Sequence, residues 1–258
     1  PTDTLLQVRV TATFDGEMDG ETRFALPKDQ FGVSAMHEWI RDIEIQSPAR
    51  LTESVPGVYV VSHEPGAHVE ISYTIAYAPP AGSFIAFGPS VDADHIHLFG
   101  SQWMARVGAP QGDDETIRDI EVSFETRNGD GTWASSYGIG NGPHRVVASD
   151  AELNYSVIAG GAYRSTTTIC RGHPIVALVY GNFEIEDAAF FDLIEPIVCG
   201  QREVFDDFDH PSYTVFITER QYLTAGAELL NSFTAFLDAG SSQGDARNLL
   251  AHEMIHTW

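Results

Sequence analysis

The chain has almost no lysine. Lys28 is the only one in 258 residues, and all lysines and arginines together number 14 against 37 acidic residues, a formal net charge of -23. So acidic a surface repels nucleic-acid phosphates and anionic lipid headgroups alike, which removes nucleic acid from the expected partners. No apolar run approaches the roughly 18 residues that a helix needs to cross a bilayer, so membrane insertion is not expected either. No signal peptide is visible, and since the chain begins at Pro1 without methionine a processed or engineered start is expected, which leaves a removed signal open. Cysteine is scarce. Cys170 and Cys199 stand at unrelated positions and leave two readings open, a disulfide with the oxidising compartment it implies, or two buried thiols. With those facts together, a periplasmic or secreted location is favoured slightly over a cytoplasmic one. Internal repeats and low-complexity tracts are absent.

What is present is ordinary globular composition in a chain long enough for one large or two ordinary domains. The first two-thirds alternate apolar and polar residues, as half-buried strands do: Leu6-Val8-Val10-Ala12-Phe14, Val69-Ile71-Tyr73-Ile75-Tyr77 and Ile120-Val122-Phe124. Shorter strand-like runs lie at Val58–Val61 and Tyr163–Ile169. Turn signals separate them at Asp15-Gly16, Asp19-Gly20, Pro79-Pro80-Ala81-Gly82 and Asn128-Gly129-Asp130-Gly131. The texture changes near Gly172-His173-Pro174. Ile175–Tyr180 reads as a compact strand, Ile185–Val198 as a helix with a break or kink at Pro196, and Tyr213–Ile217 and Phe233–Leu237 as strands. The expected architecture is a mostly β N-terminal domain, a sandwich or saddle-like sheet over residues 1–172, followed by an α/β segment over residues 173–258.

The strongest chemical signal closes the sequence: His252-Glu253-Met254-Ile255-His256 is an H-E-x-x-H motif. A helix turns about 100° per residue, so side chains four apart differ by roughly 40° and both imidazoles leave one face. That places two nitrogen donors for one zinc ion, with the Glu253 carboxylate beside them as a base for water. Asp245 is the expected N-cap of this helix, and Ala246, Leu249, Leu250, Ala251 and Ile255 its apolar side. The plain alternative is a solvated helix with two incidental histidines. Other clusters carry less. Asp15-Gly16-Glu17-Met18-Asp19-Gly20 opens like a calcium loop, but position twelve of that frame is Leu26, so a hairpin turn between two strands is the better reading. His95 and His97 with Asp92 and Asp94, and Asp206-Asp207-Phe208-Asp209-His210, read as polar strand and solvated turn.

Leu249–Trp258, with Thr257-Trp258 directly after the second histidine, resembles the motif of the glycyl aminopeptidase family, PDZ-bearing zinc metallopeptidases related to aminopeptidase N. Ala225-Gly226-Ala227-Glu228-Leu229-Leu230-Asn231-Ser232 is similar to that family's Gly-Gly-Leu-Glu-His segment, with Ala225 in place of its first glycine and Leu229 in place of its histidine. The resemblance implies a thermolysin-like catalytic domain beginning near residue 173, with Zn2+ on His252 and His256 and Glu253 as general base. It also implies that Gly226, Ala227 and Glu228 line a peptide substrate whose free α-ammonium pairs with Glu228. The family's third zinc ligand, a glutamate on a helix after the motif, has no counterpart here. The expectation is therefore an inactive fragment of an aminopeptidase. The alternative class is a non-catalytic β-domain that serves as an interaction module, with a vestigial zinc motif.

Overall fold

Period-two alternation survives in the folded chain as alternating exposure, most plainly along Val8–Asp15. The computed structural model describes residues 7–29, 34–76, 87–92, 94–108, 115–125, 132–208 and 212–257. Leu6, Tyr77, the turns at 79–82 and 128–131, Asp209, His210 and Trp258 lie outside the described residues. The chain forms two compact units, one of Pro1–Arg118 with Val147–Asn154, the other of Asp119–Val146 with Tyr155–Trp258. The boundary expected between residues 172 and 173 lies inside the second unit, at the turn of a hairpin.

The first unit is built from short strands. They are β1 (Val8–Asp15), β2 (Glu21–Ala25), β3 (Ile40–Ile45), β4 (Arg50–Val55), β5 (Val58–Ser62), β6 (His68–Ile75), β7 (Ser90–Val91), β8 (His95–Phe99) and β9 (Arg106–Val107). One antiparallel sheet has the order β1-β6-β3 and another the order β4-β5-β2-β9, while β7 and β8 pair with each other. The Asp15–Gly20 segment is thus a turn, but its flanking strands pair with β6 and β5 rather than with each other. Between β8 and β9 lies the single-turn helix α1 (Gly100–Trp103). The chain then crosses between the units within β10 (Ile117–Val122) and again, after β11 (Thr132–Ser135) and β12 (Gly138–Ile139), within β13 (His144–Ser149). Helix α2 (Asp150–Asn154) returns to the first unit, where Asp150 takes a two-pronged ion pair from Arg118, 3.0 and 2.9 Å.

In the second unit β14 (Val157–Gly161) pairs with β11, and a five-stranded sheet follows in the order β15-β16-β17-β19-β18. Its strands are β15 (Arg164–Cys170), β16 (His173–Tyr180), β17 (Tyr213–Glu219), β18 (Ala225–Leu229) and β19 (Ser232–Leu237). The three inner strands run parallel and the two outer ones antiparallel to them. Helices α3 (Asp187–Phe205) and α4 (Gln243–Glu253) bury their apolar stripes in the same core as Ile175, Val215, Ile217, Phe233 and Ala235.

Two expectations need correcting here. The helix does not break at Pro196: α3 runs on to Phe205. Proline removes one backbone hydrogen bond. The stripe Phe190, Ile194, Val198 and Arg202, each at most 1% exposed, continues across it at four-residue spacing and holds the helix to the sheet. Asp245 is not the N-cap of α4 either. Ser242 is, three residues earlier, in a capping box in which its Oγ accepts from Asp245 N–H and the Asp245 carboxylate accepts from Ser242 N–H. The cysteines, for which the sequence left two readings, are bonded: Cys170 at the end of β15 joins Cys199 in α3.

Candidate functional site

Helix α4 is oriented by three buried residues. Ala246, Leu250 and Met254 recur every fourth position and are 0–1% exposed, so one narrow stripe faces the core. His252 lies two residues after Leu250, and His256 two after Met254, nearly half a turn from that stripe. Both imidazoles are accordingly exposed, and Glu253, on the flank, is half-buried. The burial of the helix therefore dictates where the motif points.

The motif does not sit in one uniform helix. The α-helix ends at Glu253, and Met254–Thr257 form a 3₁₀ turn. A 3₁₀ step turns about 120°, which swings His256 further from His252 than an α-helix would. The two rings nevertheless stand 5.4 Å apart, centre to centre, and nearly perpendicular at 86°. Imidazoles sharing a tetrahedral zinc at about 2.0–2.1 Å have ring centres about 5 Å apart, so the spacing suits a shared ion. The donor set goes no further: among the described residues no group of three or more His, Cys, Asp or Glu is placed to hold a metal.

Opposite the motif runs β18, the edge strand of its sheet. It pairs with β19 so that Gly226 faces Ala235 and Glu228 faces Phe233 across the ladder. Partners in a ladder project to one side, and Phe233 and Ala235 belong to the core shared with α3 and α4, so Gly226 and Glu228 lie on the helix side. Gly226 is the point of closest approach. A Cβ built there would lie 2.6 Å from Phe233 Cζ and 3.0 Å from Glu253 Cγ. The absence of a side chain at 226 thus makes room for Glu253. Glu228 is half-buried two residues along the same face. Ala227 differs from the other two expected substrate residues: its side chain turns to the opposite face and is 6% exposed, leaving only its backbone on the strand edge.

Sequence reasoning missed two supports. Gln201 of α3 donates from Nε2 to the carbonyl of Ala251 at 2.8 Å, which ties the turn before His252 to a residue 50 positions away. Phe233 forms the wall under Gly226 and is fully buried. Neither carries a local signal, because each depends on the packing of α3, α4 and the sheet. Among the described residues the weaker clusters form no group of three or more side chains that could hold a metal. His95 is paired with Asp92 at 3.0 Å, and both His95 and His97 are buried within β8.

No protein-family model matches this sequence, and no curated protein matches it. Solved structures do match. The chain aligns over 98% of its length with the crystal structure of an aminopeptidase N family protein from Idiomarina loihiensis, with a TM-score of 0.76 and 13% sequence identity. The fold is shared with that protein. The chain spans 46% of that relative's length, and at such identity the likeness is one of fold alone. An M1 zinc metallopeptidase from Deinococcus radiodurans aligns over 96% of this chain and 59% of its own, at 11% identity and a TM-score of 0.49, too loose to add to the comparison.

Proposed function

We propose that this chain carries part of the active site of a zinc-dependent aminopeptidase that hydrolyses peptides from a free N-terminus. The observation that carries the reading is the close approach of β18 to the motif, with Gly226 against Glu253 and the two imidazoles 5.4 Å apart on the exposed face beside it. The fold shared with an aminopeptidase N family protein supports it. In this reading a β-rich N-terminal domain is followed by the start of a thermolysin-like catalytic domain, which takes in the whole β15–β16 hairpin rather than beginning after residue 172. His252 and His256 hold Zn2+, which acidifies water and polarises a carbonyl when bound. Glu253, held beside Gly226, receives the proton of the attacking water and delivers it to the leaving amine. Glu228, on the same face of the edge strand, accepts the substrate's α-ammonium, and the backbone of Gly226 and Ala227 offers a strand edge to the peptide. The Cys170–Cys199 bond favours a periplasmic or secreted setting. Nucleic acid and membrane insertion stay outside the proposal, given the net charge of -23.

The test is hydrolysis of glycyl and alanyl chromogenic amides by the full-length gene product. Glu253→Gln should lower turnover by about 10²–10⁴-fold with zinc content retained. Glu228→Ala should lower kcat/KM on free N-termini by about 10–100-fold, the worth of a charge-assisted hydrogen bond, with little effect on zinc. Equal rates on free and N-acetylated peptides would sink the role of Glu228. A second reading, a non-catalytic interaction module with a vestigial motif, draws on the missing third donor among the described residues. Zinc-dependent turnover by the gene product decides against it.

A further inference from the structure

Helices α3 and α4 are bridged beside the motif by the Gln201 carboxamide, whose Nε2 donates to Ala251 O at 2.8 Å. The carbonyl it reaches is a particular one. The last bond of the α-helical ladder runs from Met254 N–H to Leu250 O. A helix continuing at the same pitch would next give Ile255 N–H to Ala251 O. Instead the α-helix stops at Glu253, Met254–Thr257 take the tighter 3₁₀ pitch, and Ala251 O receives the side chain from α3. Carbonyls at a helix end need partners from outside the helix, and Gln201 supplies one at the residue before His252.

Gln201 is itself held on both sides. Two residues before it, Cys199 is bonded to Cys170 of β15. The next residue, Arg202, is fully buried and donates from Nε to Asp207 O at 2.7 Å. These neighbours fix the flank of α3 from which the carboxamide reaches. The donor thus stands on an anchored helix and the acceptor on a helix end, so the bond constrains the end.

Where the α pitch gives way decides where His256 points. An α step turns about 100° and a 3₁₀ step about 120°, so moving the junction by one residue rotates His256 by about 20° relative to His252. At about 6 Å from the helix axis, that rotation is a displacement of about 2 Å. A zinc–nitrogen distance tolerates about 0.2 Å. The ring separation of 5.4 Å, which suits a shared ion, therefore depends on keeping the junction after Glu253.

We propose that Gln201 is a positioning residue for the metal site: by occupying Ala251 O it fixes the α-to-3₁₀ junction, and with it the spacing of His252 and His256. This rests on the reading of the two histidines as ligands of one ion. Gln201 acts through the backbone of Ala251 and is not itself a ligand.

The test is a double-mutant cycle on zinc affinity, measured on the metal-free full-length gene product by competition with a chromogenic chelator. Methionine is close to glutamine in length and helix propensity but has no N–H, so Gln201→Met removes the bond and keeps the helix. With both histidines present it should weaken zinc about three- to tenfold, the worth of one hydrogen bond. In the His256→Ala background, where no second imidazole has to be placed, the same exchange should change the affinity by less than about twofold. Two results overturn the role of Gln201 alone. One is a native affinity in Gln201→Met. The other is an equal loss in both backgrounds, which a merely structural loosening of α4 would give. If His256→Ala by itself leaves zinc binding unchanged, the shared-ion reading falls and the proposal falls with it.

Discussion

Gly226 is the residue on which the site geometry turns. It occupies a strand interior, where glycine is unfavourable, and its compensation is space. A methyl group there would meet a fully buried phenyl ring at 2.6 Å and the Glu253 side chain at 3.0 Å. Phe233 cannot retreat without disturbing the core it belongs to. Gly226→Ala should therefore destabilise the second unit by about 1–3 kcal/mol, the usual cost of overpacking. Urea unfolding is the measurement, and a change within about 0.3 kcal/mol of the native protein would show that Phe233 yields easily. Ala227 presents the opposite case. Its side chain points away from Glu253, so exchange for serine should leave peptide turnover unchanged, provided the fold is kept.

At the level of elements, α4 is held by its cap and its stripe. Ser242→Ala removes the side-chain acceptor for Asp245 N–H and should cost about 1 kcal/mol, read from thermal or urea unfolding. Hydrogen bonds from the Ser242 hydroxyl, and then from its backbone N–H, depress the Asp245 carboxyl below its ordinary value of 3.8. A depressed folded value means stability that is present above pH 3.8 and lost as pH falls through the lower, folded one. The stability gap between native protein and Asp245→Asn should accordingly be largest near neutrality and close in acid. A gap independent of pH would show that the carboxylate's charge is not involved. Helix α3 is tied at a second place, by the Cys170–Cys199 bond across 29 positions of sequence. Closing a loop of that size stabilises by about 3–4 kcal/mol through the unfolded chain, so Cys199→Ser should lower stability by a similar amount.

For the whole molecule, the expected outcome of zinc titration follows from the donor count. Two histidines occupy half of a tetrahedral shell, and the described residues place no third donor beside them. The chain of Pro1–Trp258 should bind zinc weakly and without turnover of aminoacyl amides; calorimetry with a parallel assay checks both. Tight one-to-one binding with turnover would mean that another residue completes the shell. Much of this molecule is legible in its sequence because the signals are local. Strand alternation along Val8–Phe14 and Val69–Ile75 depends only on which neighbour is apolar, and the pairing of His252 with His256 depends on four residues of backbone. Ala246 and Leu250 likewise announce a buried side at helical spacing, but Ala251 and Ile255, expected on that side, are exposed, and Met254 completes the buried stripe instead. Other features depend on partners far away along the chain, and local pattern is silent about them. That α3 continues through Pro196 follows from the core it packs on. That Cys170 meets Cys199 follows from the placement of β15 against α3. That Gly226 and Glu228 face the motif while Ala227 does not follows from the register of β18 on β19. Period-two and period-3.6 patterns are written in a few consecutive residues; which surfaces those patterns meet is decided only when distant segments pack together.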